Sequence, residues 1–390
     1  MNKKESKKDS NMKKILISGY HGFNNLGDEA ILESVLQALK QAASKEGHAL
    51  EFTVLSANPE KTAHNYAGIR AIGRTSLPAI LSAIRNCDLL ISGGGSLLQD
   101  KTGYGLSVAY YLGLVFLARL FGKKTVLYAQ GIGPITKKIN RLLARWIINR
   151  ADLVTVRDAA SKKELLSLGI TRPPLCVTVD PAFCLHPPPS NKPKEVQHIL
   201  SHLPPGRPLL GISIRSWRGQ HKFIHEIAKT ADRLALTLGM TTVLIPMFPE
   251  QDLPVSRYTA SLMQQEAYVI EKELTPHEVL SLFSHLDLLI GVRLHALIFA
   301  AITGTPMAGV GYDPKICSFL NQLGLNPVHR VENLQAGELY AHCLKIWPER
   351  EAIKEKLLQI ATEYCRESNN FGEKVYRYFF GQEKNGGALR

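Results

Sequence analysis

Apolar residues in the first half of the chain fall in short unbroken runs. Each run is followed by a glycine-rich or polar turn and then by residues at helical spacing. Residues 14–18, 52–55, 88–92, 125–129, 153–156 and 176–179 predict strands, and 28–40 predicts a helix. Strands that are apolar throughout and alternate with helices predict a parallel sheet covered on both faces. The run 186–194, His-Pro-Pro-Pro-Ser-Asn-Lys-Pro-Lys, can continue neither a helix nor a central strand, because proline removes donors and fixes the backbone. It predicts a linker. A second series follows, with strands at 209–214, 241–245, 286–290 and 307–310 and helices at 224–238, 275–284 and 293–303. Residues 336–380 read as amphipathic helices. The predicted organisation is a basic tail at 1–12, a Rossmann-like domain at 13–185, a linker at 186–197, a second Rossmann-like domain at 198–380 that includes the C-terminal helices, and a frayed end at 381–390.

The charge balance changes the picture in one respect. The 390 residues carry a formal net charge of +13, which attracts polyanions such as nucleic acid, anionic lipid or phosphorylated substrates. Lys3, Lys4, Lys7, Lys8, Lys13 and Lys14 supply part of it. That stretch lacks the apolar core of a signal peptide, so a cytoplasmic protein is expected. The tail is either solvated or a loose contact with the inner membrane leaflet. The apolar stretch 106–121 is interrupted by Arg119 and is too short to span a bilayer, so a buried helix is expected. The cysteines form no Cys-x-x-Cys pair and read as reduced thiols, and no metal-ligand cluster is visible.

In open parallel sheets ligands sit at the carboxyl ends of the strands, where helix N-termini also point. The candidate chemistry is therefore in the residues just after each strand. Gly19-Tyr-His-Gly-Phe-Asn-Asn-Leu-Gly-Asp28-Glu29 is no dinucleotide fingerprint. Asn24 and Asn25 suit sugar hydroxyls, and the plain alternative is a tight turn with acids favouring the helix start. Ser92-Gly-Gly-Gly-Ser-Leu-Leu-Gln-Asp100 allows close backbone approach to a ligand but lacks the rest of a P-loop. Asp100 is either a hydroxyl-orienting group or a surface carboxylate. Gln130-Gly-Ile-Gly-Pro134 reads equally as a turn. Arg157 and Arg215 stand at strand ends, where a planar guanidinium suits a carboxylate or phosphate. For Arg157 the alternative is an internal arrangement with Asp158 or a helix cap. Arg293 opens a helix, where a cation is disfavoured by the dipole unless an anion accompanies it. His295, in the same turn, is either an acid–base group or a satisfied core histidine. Lys315 is a point charge for phosphate or a surface lysine.

In this order the motifs resemble the polysaccharide pyruvyltransferase family, in particular its members acting in cell-surface anchoring. The resemblance rests on Gly22-Phe-Asn-Asn-Leu-Gly-Asp-Glu-Ala, Ser92-Gly-Gly-Gly-Ser-Leu-Leu-Gln-Asp, Gln130-Gly-Ile-Gly-Pro, Val156-Arg-Asp, Ile214-Arg-Ser-Trp and Gly291-Val-Arg-Leu-His-Ala. It runs from about residue 12 to about residue 378. It implies an α/β, GT-B-like fold in which two Rossmann-type doubly wound parallel-sheet domains face a cleft. It implies phosphoenolpyruvate as co-substrate, with no cofactor and no catalytic metal. The acceptor it implies is a lipid-linked, N-acetylmannosamine-containing precursor of a secondary cell wall polymer, ketalised at O4 and O6 so that surface-layer proteins can anchor. Arg293 and His295 would be catalytic. Arg293, Lys315, Arg215 and Arg157 would bind phosphoenolpyruvate, and Asn25, Asp28 and Asp100 the acceptor. Two alternatives stay open: a GT-B glycosyltransferase using a nucleotide sugar, and a polyanion-binding module. Against the second, the charged residues of interest sit at strand ends rather than in a stripe interleaved with aromatics, and no nucleic-acid partner is expected. The sequence specifies no oligomeric state.

Overall fold

A computed structural model describes residues 11–100, 106–187, 193–312, 314–325 and 329–381. The expected basic tail and frayed end lie almost entirely outside these residues, as do much of the proline-rich linker and Asp313. The chain divides into two compact units. The first runs to Cys184 and resumes at Tyr364, and the second is Leu185–Glu363.

The first unit holds a seven-stranded sheet made of β1 (Met12–His21), β2 (Ala49–Ser56), β3 (Ile69–Gly73), β4 (Leu89–Gly93), β5 (Lys124–Gln130), β6 (Leu153–Val156) and β7 (Leu175–Val177). The order is β3-β2-β1-β4-β5-β6-β7, and every pairing is parallel. β4 and β6 are buried at every position, as expected for strands covered on both faces. The second unit repeats the plan with β8 (Leu209–Ser213), β9 (Thr241–Leu244), β10 (Ala267–Val269), β11 (Leu288–Gly291), β12 (Met307–Gly311) and the two-residue β13 (His329–Arg330). Its order is β10-β9-β8-β11-β12-β13. Each unit has its own apolar core, around Leu16, Leu90 and Leu127 in the first and Ile212, Ile290 and Val310 in the second.

In both sheets the strand order reverses once, between β1 and β4 and between β8 and β11. Connections then leave in opposite directions and open a crevice at the carboxyl ends. The two motifs read first, after β1 and β4, flank one such point. The Arg215 and Arg293 motifs, after β8 and β11, flank the other. Among the described residues, the non-glycine residues with positive φ are Asn24, Ala129 and Arg218, just after or at the ends of β1, β5 and β8. Backbone strain is thus concentrated where ligands bind in this kind of sheet.

Three expectations need correction. The C-terminal helices do not all belong to the second domain. Helix Arg350–Phe380 begins in the second unit, but its residues from Tyr364 on group with the first. Tyr364 meets Phe183 edge-on, Glu373 pairs with Lys45, Arg377 pairs with Glu46, and Tyr376 is fully buried. Contacts this distant in sequence leave no local signature. Second, β1 begins at Met12, inside the expected tail, and runs to His21, so the first three residues of the first glycine motif are strand. Third, the expected linker is partly helical, because helix Lys194–Ser201 starts within it.

Candidate functional site

The crevice of the first unit is lined by the loop after β1. Asn25 caps helix Leu26–Lys45 and accepts a hydrogen bond from Gly27 N at 3.2 Å. Its side chain thus serves the helix start. Asn24, at φ 59°, accepts from Lys61 Nζ at 2.8 Å. Glu29 closes the loop by accepting from Gly22 N at 2.8 Å and from the Tyr66 hydroxyl at 2.9 Å. Asp28 is buried, and its carboxylate occupies the space a side chain on Gly95 would need. The second motif therefore requires glycine there because the first delivers a carboxylate.

Asp100 is a clasp between loops. Its oxygens accept from Thr136 N at 2.9 Å, Thr136 Oγ1 at 2.8 Å and Lys137 N at 2.7 Å. Burial pushes its pKa up, but these hydrogen bonds outweigh that, and the carboxyl lies below its ordinary value. Asp100 thus ties the loop after β4 to the one after β5.

Arg157 follows β6 and is buried. Of the two internal arrangements expected, the helix cap is present and the Arg157–Asp158 contact is not. Asp158 caps the next helix through Ser161 N at 2.6 Å, while Arg157 pairs with Asp180, which follows β7, at 2.5 Å. Its other arm donates to Ser96 Oγ at 3.0 Å. A side chain at Gly131 would stand 2.8 Å from the guanidinium. Arg157 thus joins the loops after β4, β5, β6 and β7, with its charge balanced by Asp180.

A cluster around Arg74, just after β3, carries no signal in the sequence. Its guanidinium lies 4.9 Å from the Phe23 ring, 4.6 Å from Tyr110, 5.7 Å from Tyr111 and 6.0 Å from Tyr20. Tyr20 and Phe23 stack at 4.0 Å. Tyr111 donates to the Gly19 carbonyl at 3.2 Å. Tyr20, Phe23 and Tyr110 are only partly buried, so aromatic surface remains at the carboxyl ends of β1 and β3. Next to them His21 is buried. Desolvation, and then the charge of Arg74, hold its pKa down near 3, while the backbone at Asp28 pulls weakly the other way.

The second unit gathers cations. Arg215 follows β8, is half-buried, and donates to the Tyr312 hydroxyl at 2.9 Å. Tyr312 follows β12 and β11 lies between, so this bond passes over the end of β11, where Arg293 and His295 begin. Arg215 also lies 4.6 Å from the Tyr312 ring and 5.6 Å from Trp217. It forms no ion pair among the described residues. Arg293 is the N-cap residue of helix Leu294–Thr303. The anion its position demands is protein-borne, at least in part: Arg293 Nη2 pairs with Asp252, a residue with no exposed side-chain surface. Asp252 also accepts from Met247 N at 3.2 Å and Phe248 N at 2.9 Å. Arg293 Nε is buried without a hydrogen bond, so donor capacity is left over. His295 stands half-buried in the same turn, and Lys315 half-buried in the first turn of helix Pro314–Gln322. Arg215, Arg293, His295 and Lys315 thus sit at the carboxyl ends of the neighbouring strands β8, β11 and β12. Arg157, Asn25, Asp28 and Asp100 belong to the other unit. No group of three or more metal-ligating side chains occurs among the described residues.

Solved structures share this architecture over nearly the full length. UDP-bound MnaA of S. aureus matches with a TM-score of 0.63 at 12% identity, covering 96% of this chain and 98% of that one. The Anabaena protein HepE, in complex with UDP and glucose, matches with a TM-score of 0.59 at 15% identity, covering 93% and 99%. At these identities the likeness is one of fold, and it is the GT-B-like α/β fold of two Rossmann-type domains. The amylovoran biosynthesis protein AmsJ of Erwinia amylovora is 22% identical over 402 residues, which covers 88% of this chain and 94% of that protein. Residues 25–314 match the polysaccharide pyruvyl transferase family, from the cap of the first helix to the start of helix Pro314–Gln322, and the chain belongs to that family, as a transferase of polysaccharide biosynthesis.

Proposed function

We propose that this chain uses phosphoenolpyruvate as donor and forms a 4,6-ketal on a terminal N-acetylmannosamine of a lipid-linked secondary cell wall polymer precursor, which serves to anchor surface-layer proteins. The observation that carries the donor is the set Arg215, Arg293 and Lys315 at adjacent strand ends around His295. Phosphoenolpyruvate bears a carboxylate and a phosphate, and its site needs several fixed cations. Arg215 has no carboxylate partner among the described residues, and Arg293 keeps a buried donor after Asp252 is satisfied. The N-acetylmannosamine, its lipid carrier and the anchoring role rest on the motif resemblance alone.

His295 delivers a proton to the methylene carbon, and C2 becomes cation-like. One sugar hydroxyl adds to C2 and returns its proton to His295. Phosphate leaves as its C–O bond breaks, with Arg293 and Lys315 stabilising its charge, and the second hydroxyl closes the ketal and gives its proton to the phosphate. The acceptor sugar packs on the aromatic surface of Tyr20, Phe23 and Tyr110, held in place by Arg74. In this reading Asp28 orients a hydroxyl, while Asn25 and Asp100 act through loop geometry. Arg157 contributes through the loops it joins.

The test is phosphate release from phosphoenolpyruvate with and without a synthetic lipid-linked disaccharide ending in N-acetylmannosamine, with mass spectrometry of the sugar. Acceptor-dependent release and one added ketal are expected. Activity only on other terminal sugars would overturn the acceptor. Silence with every acceptor, together with thermal protection by UDP and none by phosphoenolpyruvate, would overturn the donor and favour a nucleotide-sugar enzyme.

A further inference from the structure

Helix Lys138–Ile148 has two apolar faces. Asn140, Ala144, Ile147 and Ile148 are buried, which is the single stripe an amphipathic surface helix needs. Ile139, Leu142 and Trp146 recur at i, i+3 and i+7 on another face and are 66%, 68% and 44% exposed. The adjoining helix Leu106–Leu120 extends this surface. Its Phe116 ring lies 5.2 Å from Trp146, and Leu120, one turn further along the same face, is 67% exposed. Along helix Lys138–Ile148 and its flanks the charge has one sign. From Lys137 to Arg150 the chain carries Lys137, Lys138, Arg141, Arg145 and Arg150 and no acid. Arg150 lies 4.4 Å from the Trp146 ring.

We propose that this face docks on an anionic lipid surface. Large aliphatic side chains and a tryptophan, flanked by arginines and lysines whose stems can reach past them, match the boundary between acyl chains and headgroups. A second copy of the chain fits poorly, because an isologous contact would set these cations against each other. Nucleic acid would use the charge but not the exposed aliphatic residues. No described helix is long and apolar enough to cross a membrane, so the contact is with the surface. The inference uses the exposure and charge of this face and stands apart from the identity of the donor and acceptor.

The experiment is co-sedimentation of the full chain with phosphatidylcholine vesicles, with and without phosphatidylglycerol, and tryptophan quenching by brominated acyl chains. Binding should require phosphatidylglycerol and weaken with salt, and the quenching should disappear in Trp146→Phe. Each cation near the surface contributes roughly fivefold, and Arg141→Glu with Arg145→Glu should lower partitioning by at least about tenfold. Ile139→Glu with Leu142→Glu should abolish insertion while the circular dichroism stays unchanged, since neither side chain is in the core. Removing residues 1–11 should leave insertion intact. The proposal is overturned if the wild type ignores anionic vesicles, if binding follows the tail instead of the face, or if the Ile139/Leu142 variant only dissolves a dimer that never bound lipid.

Discussion

Asp252 gives the strictest test of how the cationic crevice is built. Its carboxylate has no exposed surface, and Arg293 is only 12% exposed. Asp252→Asn can keep an oxygen for the Met247 and Phe248 amides but leaves Arg293 without its countercharge. Breaking a buried pair by removing one partner costs about 3–5 kcal/mol. In a unit of this size about 1 kcal/mol moves the melting temperature by about 2–4 °C, so a fall of about 6–20 °C is expected. Asp252→Ala should fall further, because two buried amides also lose their acceptor. Calorimetry on the full chain measures this, and a double-mutant cycle with Arg293→Gln should show that the losses are not additive. Phosphoenolpyruvate should stabilise the Asn variant more than the wild type, because its anion then answers the unpaired guanidinium. An Asn variant melting within about 1 °C of wild type, or additive losses, would refute the reasoning.

Three further outcomes are expected. His295→Gln should lower the turnover of acceptor-dependent phosphate release by about a hundred- to ten-thousandfold with an unchanged melting temperature; near-full turnover would remove His295 from the proton transfer. His21 is held down near 3 in the fold against an ordinary value of 6.5, so on acidification the unfolded chain takes the proton first and stability is lost as pH falls below 6.5. Urea melts should therefore show about 2 kcal/mol less stability at pH 5 than at pH 7 from this group, a share absent in His21→Asn. Cys184 and Cys365 are free thiols whose sulfurs lie 2.7 Å apart. One equivalent of hydrogen peroxide should join them, with two waters formed, ahead of the other cysteines. Peptide mapping reads the bond, and a Cys184 still fully alkylated afterwards would refute it.

What was legible in the sequence follows physical range. Fully buried strands such as β4, β6 and β8 announce themselves because both faces must be apolar. The edge strands β3 and β10 are only partly buried and carry no such signal. The strand-end motifs were legible because glycines and arginines there serve needs that no strand or helix has. Their partners were not. Asp252 lies 41 residues before Arg293 and meets it only because β9 and β11 flank β8. Arg74 is an unremarkable surface arginine until the ends of β1 and β3 and the start of helix Leu106–Leu120 bring four rings around it. A charged pair adjacent in sequence, Arg157-Asp158, suggested a contact that the fold does not make, because Asp158 is committed to a helix cap and Asp180 arrives from the next strand.

Counting partners separates Arg157 from the other crevice arginines in a way that counting charges does not. In the first unit Arg157 is balanced by Asp180 and orders loops, while Arg74 lies among rings with its Nη1 buried and without a hydrogen bond. In the second unit Arg215 binds only a phenol and a backbone carbonyl among the described residues, and the carboxylate that holds Arg293 leaves its Nε unmet. A guanidinium with unspent donors at a strand end is costly to maintain unless an anion shares it. One that is fully paired can be kept for geometry alone. Arg74, Arg215 and Arg293 all keep donors on this count, and it is the grouping of Arg215 and Arg293 with Lys315 at adjacent strand ends that makes the second crevice the one we propose for the anionic donor.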